Sequence, residues 1–403
     1  MLINLEQPGK KPDPSMPILQ LGFRPFFLFA GVSAVLLILA WGVLFSAGGS
    51  NVVYDTAYGT VYWHGHEMIF GYVVAVVAGF LLTAVKNWTG RQTLNGISLL
   101  LLFILWLAAR LLPFFPVSIP YWLVAATDLL FLPVLAAVML PLLLKTKNYR
   151  NLIFLGILIL LSAANFVFHL GVAGILVSGQ SYGLYAAVYT LLFLISIMGG
   201  RVIPFFIERG IAGDFTRKSY PAIEISANAM LLLLGILHTA GIMGIPTATV
   251  ALLAAVLHLI RLSGWYGKGV WRVPLLWVLV LAYGWIIVGL FLMALAMVGL
   301  FSISLALHAL TLGGIGLMTM GMMVRVSMGH SGRRLVAPAW LPAAFAALNL
   351  AVLVRVFLPM LMPIESYPLL VLISALIWVF AFTIFVFRMA PIYFSARVDG
   401  RPG

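Results

Sequence analysis

Val61-Tyr62-Trp63-His64-Gly65-His66-Glu67-Met68-Ile69-Phe70-Gly71-Tyr72-Val73-Val74-Ala75-Val76-Val77-Ala78-Gly79-Phe80-Leu81-Leu82-Thr83-Ala84-Val85-Lys86 opens on two histidines and a glutamate, closes on a lysine, and carries no charge from Met68 to Val85. A helix of that length crosses a hydrocarbon layer of roughly 30 Å. An alternating strand pattern, as a β-barrel requires, is absent. The segment therefore reads as a transmembrane helix whose polar residues gather at one end.

Similar stretches recur along the 403 residues, at 24 to 47, 61 to 86, 94 to 113, 120 to 144, 151 to 175, 180 to 207, 220 to 243, 246 to 264, 274 to 299, 302 to 326, 337 to 359 and 366 to 390. Hydrophobic residues make up 64% of the chain and charged residues 8%, far from the balance of a soluble domain. The expected fold is all-α, a polytopic membrane protein of about twelve transmembrane helices. Residues 1 to 20 read as a polar cytoplasmic leader without the apolar core of a signal peptide, and 21 to 403 as one membrane domain. Gly71, Ala75, Gly79, Gly199, Gly200, Gly313, Gly314, Gly316 and Gly321 suit close helix packing in lipid.

A net charge of +13 would suggest a nucleic-acid partner in a soluble protein, but here the position of each charge matters more than the sum. With a cytoplasmic N-terminus, every cation except Arg110 and Arg355 falls on the cytoplasmic side or at a helix end facing it. The expected topology is N-in and C-in, with membrane lipid and no nucleic acid as partner.

The chain contains no cysteine, which excludes thiolate-ligated haem, covalently attached haem, iron-sulfur clusters and disulfides. Any metal must use histidine, methionine, carboxylate or backbone. Of the seven histidines, His64, His66, His169, His238 and His308 fall within roughly 10 Å of one another in depth, near the outer end of the bundle. A single interfacial histidine is often satisfied by water or a neighbouring helix, but five at one level suggest a cofactor or ion site. His258 lies near the middle of helix 8 and His330 in the loop after helix 10, outside that group. Met318, Met320, Met322, Met323 and Met328 suit packing better than copper ligation.

His64 and His66 point to nearly opposite faces of a regular helix, so either they serve different centres or Gly65 lets the first turn unwind. Glu67 suits an acceptor for a ligand N–H, and Asn165, four residues before His169, suits an amide that orients that imidazole or a bound ligand. An offset of 242 superposes His66 on His308, Gly71 on Gly313 and Gly79 on Gly321, which proposes equivalent histidines at equivalent depth. Arg201 follows Gly199-Gly200 near the inner end of helix 6, where snorkelling or pairing with Glu208 accounts for it.

Phe23-Arg24-Pro25-Phe26-Phe27, Trp63-His64-Gly65-His66-Glu67-Met68 with Phe70-Gly71, Gly79-Phe80-Leu81-Leu82-Thr83-Ala84, Asn87-Trp88-Thr89-Gly90-Arg91, Gly199-Gly200-Arg201-Val202-Ile203-Pro204-Phe205-Phe206, and Arg325-Val326-Ser327-Met328-Gly329-His330-Ser331-Gly332-Arg333 resemble the NnrS family. The likeness runs along nearly the whole chain. It implies a twelve-helix bacterial inner-membrane protein that binds haem b and copper and takes part in the response to nitric oxide and nitrosative stress, often alongside denitrification. Members often carry a histidine early in helix 9, where this chain has Val280.

The resemblance and the histidine level together give the functional expectation. His66 or His64, with His308, would hold the haem, and His169, His238 and the remaining helix 2 imidazole would be available to copper. Nitric oxide is the expected small ligand, with an electron donor that the sequence does not specify. Whether nitric oxide is turned over, as by a haem/copper oxidoreductase, stays open. Two rivals remain: a proton-coupled secondary transporter using Asp128, Glu224 and Arg201, and a copper-delivery or assembly factor whose metal is cargo.

Overall fold

The structure is a computed structural model that describes residues 16–48, 58–115, 118–211 and 215–401. Most of the expected leader lies outside the described residues. Among the described residues twelve helices are long and apolar enough to cross a membrane: α1 (Phe23–Ser46), α2 (Thr60–Thr89), α3 (Gly96–Phe114), α4 (Tyr121–Lys145), α5 (Tyr149–Val172), α6 (Gly179–Gly210), α7 (Pro221–Thr239), α8 (Ile245–Trp265), α9 (Pro274–Met297), α10 (Ile303–His330), α11 (Trp340–Leu361) and α12 (Ile364–Phe394). No strand occurs among the described residues. Helix 10 continues beyond the expected boundary, so His330 sits in its last turn rather than in a loop, with Nε2 3.3 Å from Asn87 Nδ2.

Burial grades the helices. In its most apolar window α2 is 89% buried, against 33% for α4 and α8, so the helix with the His-Gly-His turn is also the one wrapped by its neighbours. It runs beside α1, which packs along α12, while α5 packs on α6, α8 on α7 and α9, and α11 on α12. Small residues permit the closest of these approaches, as expected where lipid supplies no hydrophobic drive between helices. At Gly183 of α6 an added Cβ would lie 2.5 Å from the Ala164 carbonyl oxygen and 2.6 Å from the Phe168 nitrogen of α5.

Two helices depart from the α-helical ladder. α2 is π-helical over Glu67–Val73 and α10 over Ala309–Gly316. Each widened segment opens one residue after a histidine, His66 and His308, at positions related by the offset of 242 seen in the sequence. A π-turn inserts a residue and so rotates the helix on its C-terminal side relative to the helix on its N-terminal side, and such turns recur at functional sites. The α-helical segment ahead of each π-turn, Thr60–His66 and Ile303–His308, can therefore aim its imidazole independently of the apolar stripe that follows.

The two ends of the bundle differ in charge. Contacts such as Arg24 Nη1 to the Ser395 carbonyl, Asn148 Nδ2 to the Trp88 carbonyl and Arg397 Nη1 to the His330 carbonyl tie together the end where α1 begins. That end carries most of the lysines and arginines. Tyr62, Gln180, Tyr58 and Ser181 meet at the opposite, cation-poor end, and Arg110 and Arg355 are buried toward it.

Two histidine sites at the cation-poor end

α2 divides its two imidazoles between two places. His64 and His66 lie two residues apart in a regular α-helical turn, Thr60–His66, so their side chains leave the helix on nearly opposite faces. The alternative in which Gly65 unwinds the turn is not what forms; a Cβ there would meet Leu184 Cδ1 at 2.8 Å, so the glycine serves the contact with α6.

The first place is a polar cluster enclosed by α2, α3, α4 and α5. His66 is fully buried, with Nδ1 3.1 Å from Glu67 Oε1 and Nε2 3.1 Å from both Asp128 Oδ2 and Asn165 Oδ1. His169 Nε2 lies 3.0 Å from the same Asp128 Oδ2, and its Nδ1 lies 2.7 Å from the Tyr121 hydroxyl. Arg110 donates through Nη1 to Glu67 Oε1 at 2.8 Å and through Nη2 to Asp128 Oδ1. Asn165 Nδ2 donates to Asp128 Oδ2 at 2.7 Å.

Helical spacing explains the convergence. Asn165 and His169 share one face of α5, and Tyr121 and Asp128, two turns apart, share one face of α4. The Asn165 amide thus contacts His66 across the interface rather than the His169 four residues on. Tyr58 closes the cluster from the connection before α2, its ring centroid 5.0 Å from that of His66. Burial first, and the Glu67 carboxylate second, hold the Tyr58 phenol above its ordinary pKa, so it stays protonated.

The charges of this cluster leave a remainder. Glu67 and Asp128 are each under 5% exposed and share one guanidinium, so with neutral imidazoles the cluster's described side chains sum to minus one. A buried carboxylate requires compensation. Both His66 nitrogens face acceptor oxygens, so the balance is met by a second proton on His66, by a proton on one of the carboxyls, or by a bound cation. One ligand atom from each of His66, Asp128 and His169 lies within 4.8 Å of the others, a two-nitrogen, one-oxygen set that suits a borderline transition metal. Glu67 Oε2 is buried without a hydrogen-bond partner.

The second place is a cavity of about 430 Å³ on the other side of α2, within the range of cofactor pockets, roughly 300 to 1,000 Å³. His64 and His308 both line it, together with Trp41, Tyr72, Trp378 and Arg355. The His64 ring stacks on Trp41 with centroids 4.5 Å apart and planes 9° from parallel. His308 Nδ1 lies 2.6 Å from the Ser304 carbonyl one turn back, so Nδ1 donates and Nε2 keeps its lone pair. Arg355 donates through Nη2 to the Tyr367 hydroxyl at 2.9 Å, while its Nη1 is buried without a hydrogen-bond partner.

His66 and His308, equivalent by the offset of 242, therefore do not share a site; it is His64 that faces the same cavity as His308. His238 joins neither group of ligand atoms. Its Nδ1 lies 2.8 Å from the Tyr189 hydroxyl, and its ring stacks on Tyr185 at 4.5 Å. Arg110 and Arg355, the two cations that broke the inside-positive pattern, turn out to belong one to each site. That exception was the signal by which the sequence marked them.

The fold and these sites define a twelve-helix membrane protein with a buried His/Asp cluster and a histidine-lined cavity at one end. A search of curated proteins finds no significant match. The family model described as NnrS protein matches residues 17–397, and the chain belongs to the NnrS family.

Proposed function

We propose that this protein is a haem- and copper-binding member of the nitric oxide response, with haem in the cavity between His64 and His308 and copper at His66, Asp128 and His169. The observation that carries the reading is the cavity itself, with two imidazoles from separate helices on its wall and a buried guanidinium nitrogen without a partner beside them. Membership of the family supports placing the protein in nitric oxide metabolism at the bacterial inner membrane. The asymmetry of cations supports a cytoplasmic location for the end where α1 begins, and hence a periplasmic location for both sites.

Haem fits the donors present. The Ser304 carbonyl fixes the His308 tautomer that leaves Nε2 free, Trp41 holds the His64 ring in place, and Arg355 Nη1 offers its proton to a carboxylate such as a propionate. Copper fits the charge of the polar cluster, where a cation would cancel the residual negative charge of Glu67 and Asp128. When bound, haem supplies a one-electron redox centre and copper an ion with affinity for nitric oxide. The chain's own part is to position. Glu67 holds His66 and Tyr121 holds His169, each through Nδ1, so that the two Nε2 atoms, which face Asp128 Oδ2, would be the ones to take the metal, and Tyr58 with Phe168 excludes water.

Purification in detergent, with absorption spectra and iron and copper analysis, tests the assignment. A Soret band lost in His64→Ala and His308→Ala, and copper lost in His66→Ala and His169→Ala with the Soret band retained, is the expected pattern. A colourless, metal-free protein from cells supplied with haem and copper would overturn it.

A further inference from the structure

At the opposite, cation-rich end a second large cavity, about 560 Å³, opens between α2, α5, α6, α7 and α8. Four arginines line it: Arg150 on α5, Arg201 on α6, Arg217 on the α6–α7 connection and Arg261 on α8. Glu224 is the only carboxylate on its wall among the described residues, and it is already engaged, accepting from Arg261 Nε at 2.6 Å and Nη2 at 2.5 Å. Arg261 is 4% exposed, and its Nη1 is used up on the hydroxyls of Ser196 and Tyr283. It forms the neutralised floor.

Among the described residues, the remaining guanidiniums have no equal compensation. Arg217 Nε is 3.9 Å from Glu208, an exposed contact that takes the carboxylate expected for Arg201. Arg201 donates instead to the neutral Asn151 amide at 2.9 Å and lies against the Phe154 ring. Arg150 is exposed on the rim. Among the described residues, three cations thus converge on one cavity against one solvent-screened carboxylate, an arrangement that an anion would stabilise.

The motif Gly199-Gly200-Arg201 takes its meaning here. A Cβ on Gly200 would overlap the Arg261 guanidinium, so only glycine admits the floor arginine beneath Arg201. Planar guanidiniums presented from separate elements match the oxygens of a phosphate group. Basic pockets between helices at a cytoplasmic face recognise phosphate-bearing headgroups on the same principle.

We propose that this cavity binds a phosphate group, contacted by Arg150, Arg201 and Arg217, as a site separate from the two histidine sites. The phosphate belongs either to an anionic lipid headgroup or to a free phosphate anion.

The test uses the full chain in detergent. Thermal unfolding is followed while inorganic phosphate, dihexanoyl phosphatidylglycerol or dihexanoyl phosphatidylcholine is titrated, for the native protein, Arg150→Gln/Arg201→Gln and Arg272→Gln, whose arginine lies outside the cavity. Ligand binding to the folded state raises the unfolding temperature with concentration. Stabilisation by inorganic phosphate alone identifies a free anion; stabilisation by phosphatidylglycerol but not by phosphate or phosphatidylcholine identifies a lipid headgroup. In either case the double variant should need about tenfold more ligand or more, the loss of charge-assisted hydrogen bonds, while Arg272→Gln behaves as native. If the double variant does not fold, the rim substitution Arg150→Gln carries the comparison. No stabilisation by either anion, or a native response in Arg150→Gln/Arg201→Gln (or in Arg150→Gln where it carries the comparison), would overturn the proposal.

Discussion

Replacing Arg110 by leucine removes the one guanidinium shared by Glu67 and Asp128. Both carboxylates and the arginine are less than 10% exposed, so water does not take over the lost interactions. Breaking a buried ion pair by deleting one partner costs about 3 to 5 kcal/mol, and two carboxylates stranded at once place this variant toward the upper figure. The triple variant Arg110→Leu/Glu67→Gln/Asp128→Asn removes the stranded charges and should regain most of that loss, because neutral amides are far cheaper to bury than carboxylates. Reversible unfolding in mixed micelles of increasing sodium dodecyl sulfate, followed by circular dichroism, measures both differences. An Arg110→Leu protein within about 1 kcal/mol of native, or a triple variant as unstable as the single one, would refute the charge reasoning for the cluster.

Gly183→Ala should destabilise the α5–α6 crossing by about 1 to 3 kcal/mol, because its Cβ would press on backbone atoms that cannot rotate away, and the displaced α5 should lower metal content at His169. Gly65→Ala should cost less, since the atom it meets is the end of the Leu184 side chain; the same unfolding assay ranks the two. His238→Ala should leave both the Soret band and copper content unchanged, as its imidazole is engaged by Tyr189 and Tyr185, and loss of either signal would assign it a ligand's role. Arg355→Leu should lower haem retention while leaving copper in place, read from the ratio of Soret absorbance to copper in the purified protein.

What the sequence determined alone was the set of helices and the level at which their polar residues gather. Apolar runs long enough to span a bilayer admit one kind of element, because a backbone in lipid must satisfy its own hydrogen bonds. The depth of each histidine comes from its distance to a helix end, and the turn angle between His64 and His66 already required that they separate or that Gly65 unwind. Depth along a helix is a one-dimensional quantity, and a sequence states it directly.

Lateral position is not. That His66 meets His169 through Asp128, that His64 meets His308 across an open cavity, and that His238 stands apart were decided by which helices lie side by side and how each is rotated about its axis. The π-turns after His66 and His308 alter that rotation, so the equivalence written in the sequence by the offset of 242 survives as backbone geometry and not as a shared site. Arg110 and Arg355 could be marked as misplaced cations by charge counting, yet their partners could not be named, because a buried charge is compensated by whatever the packed neighbours bring within a few ångströms. Packing in three dimensions decided that.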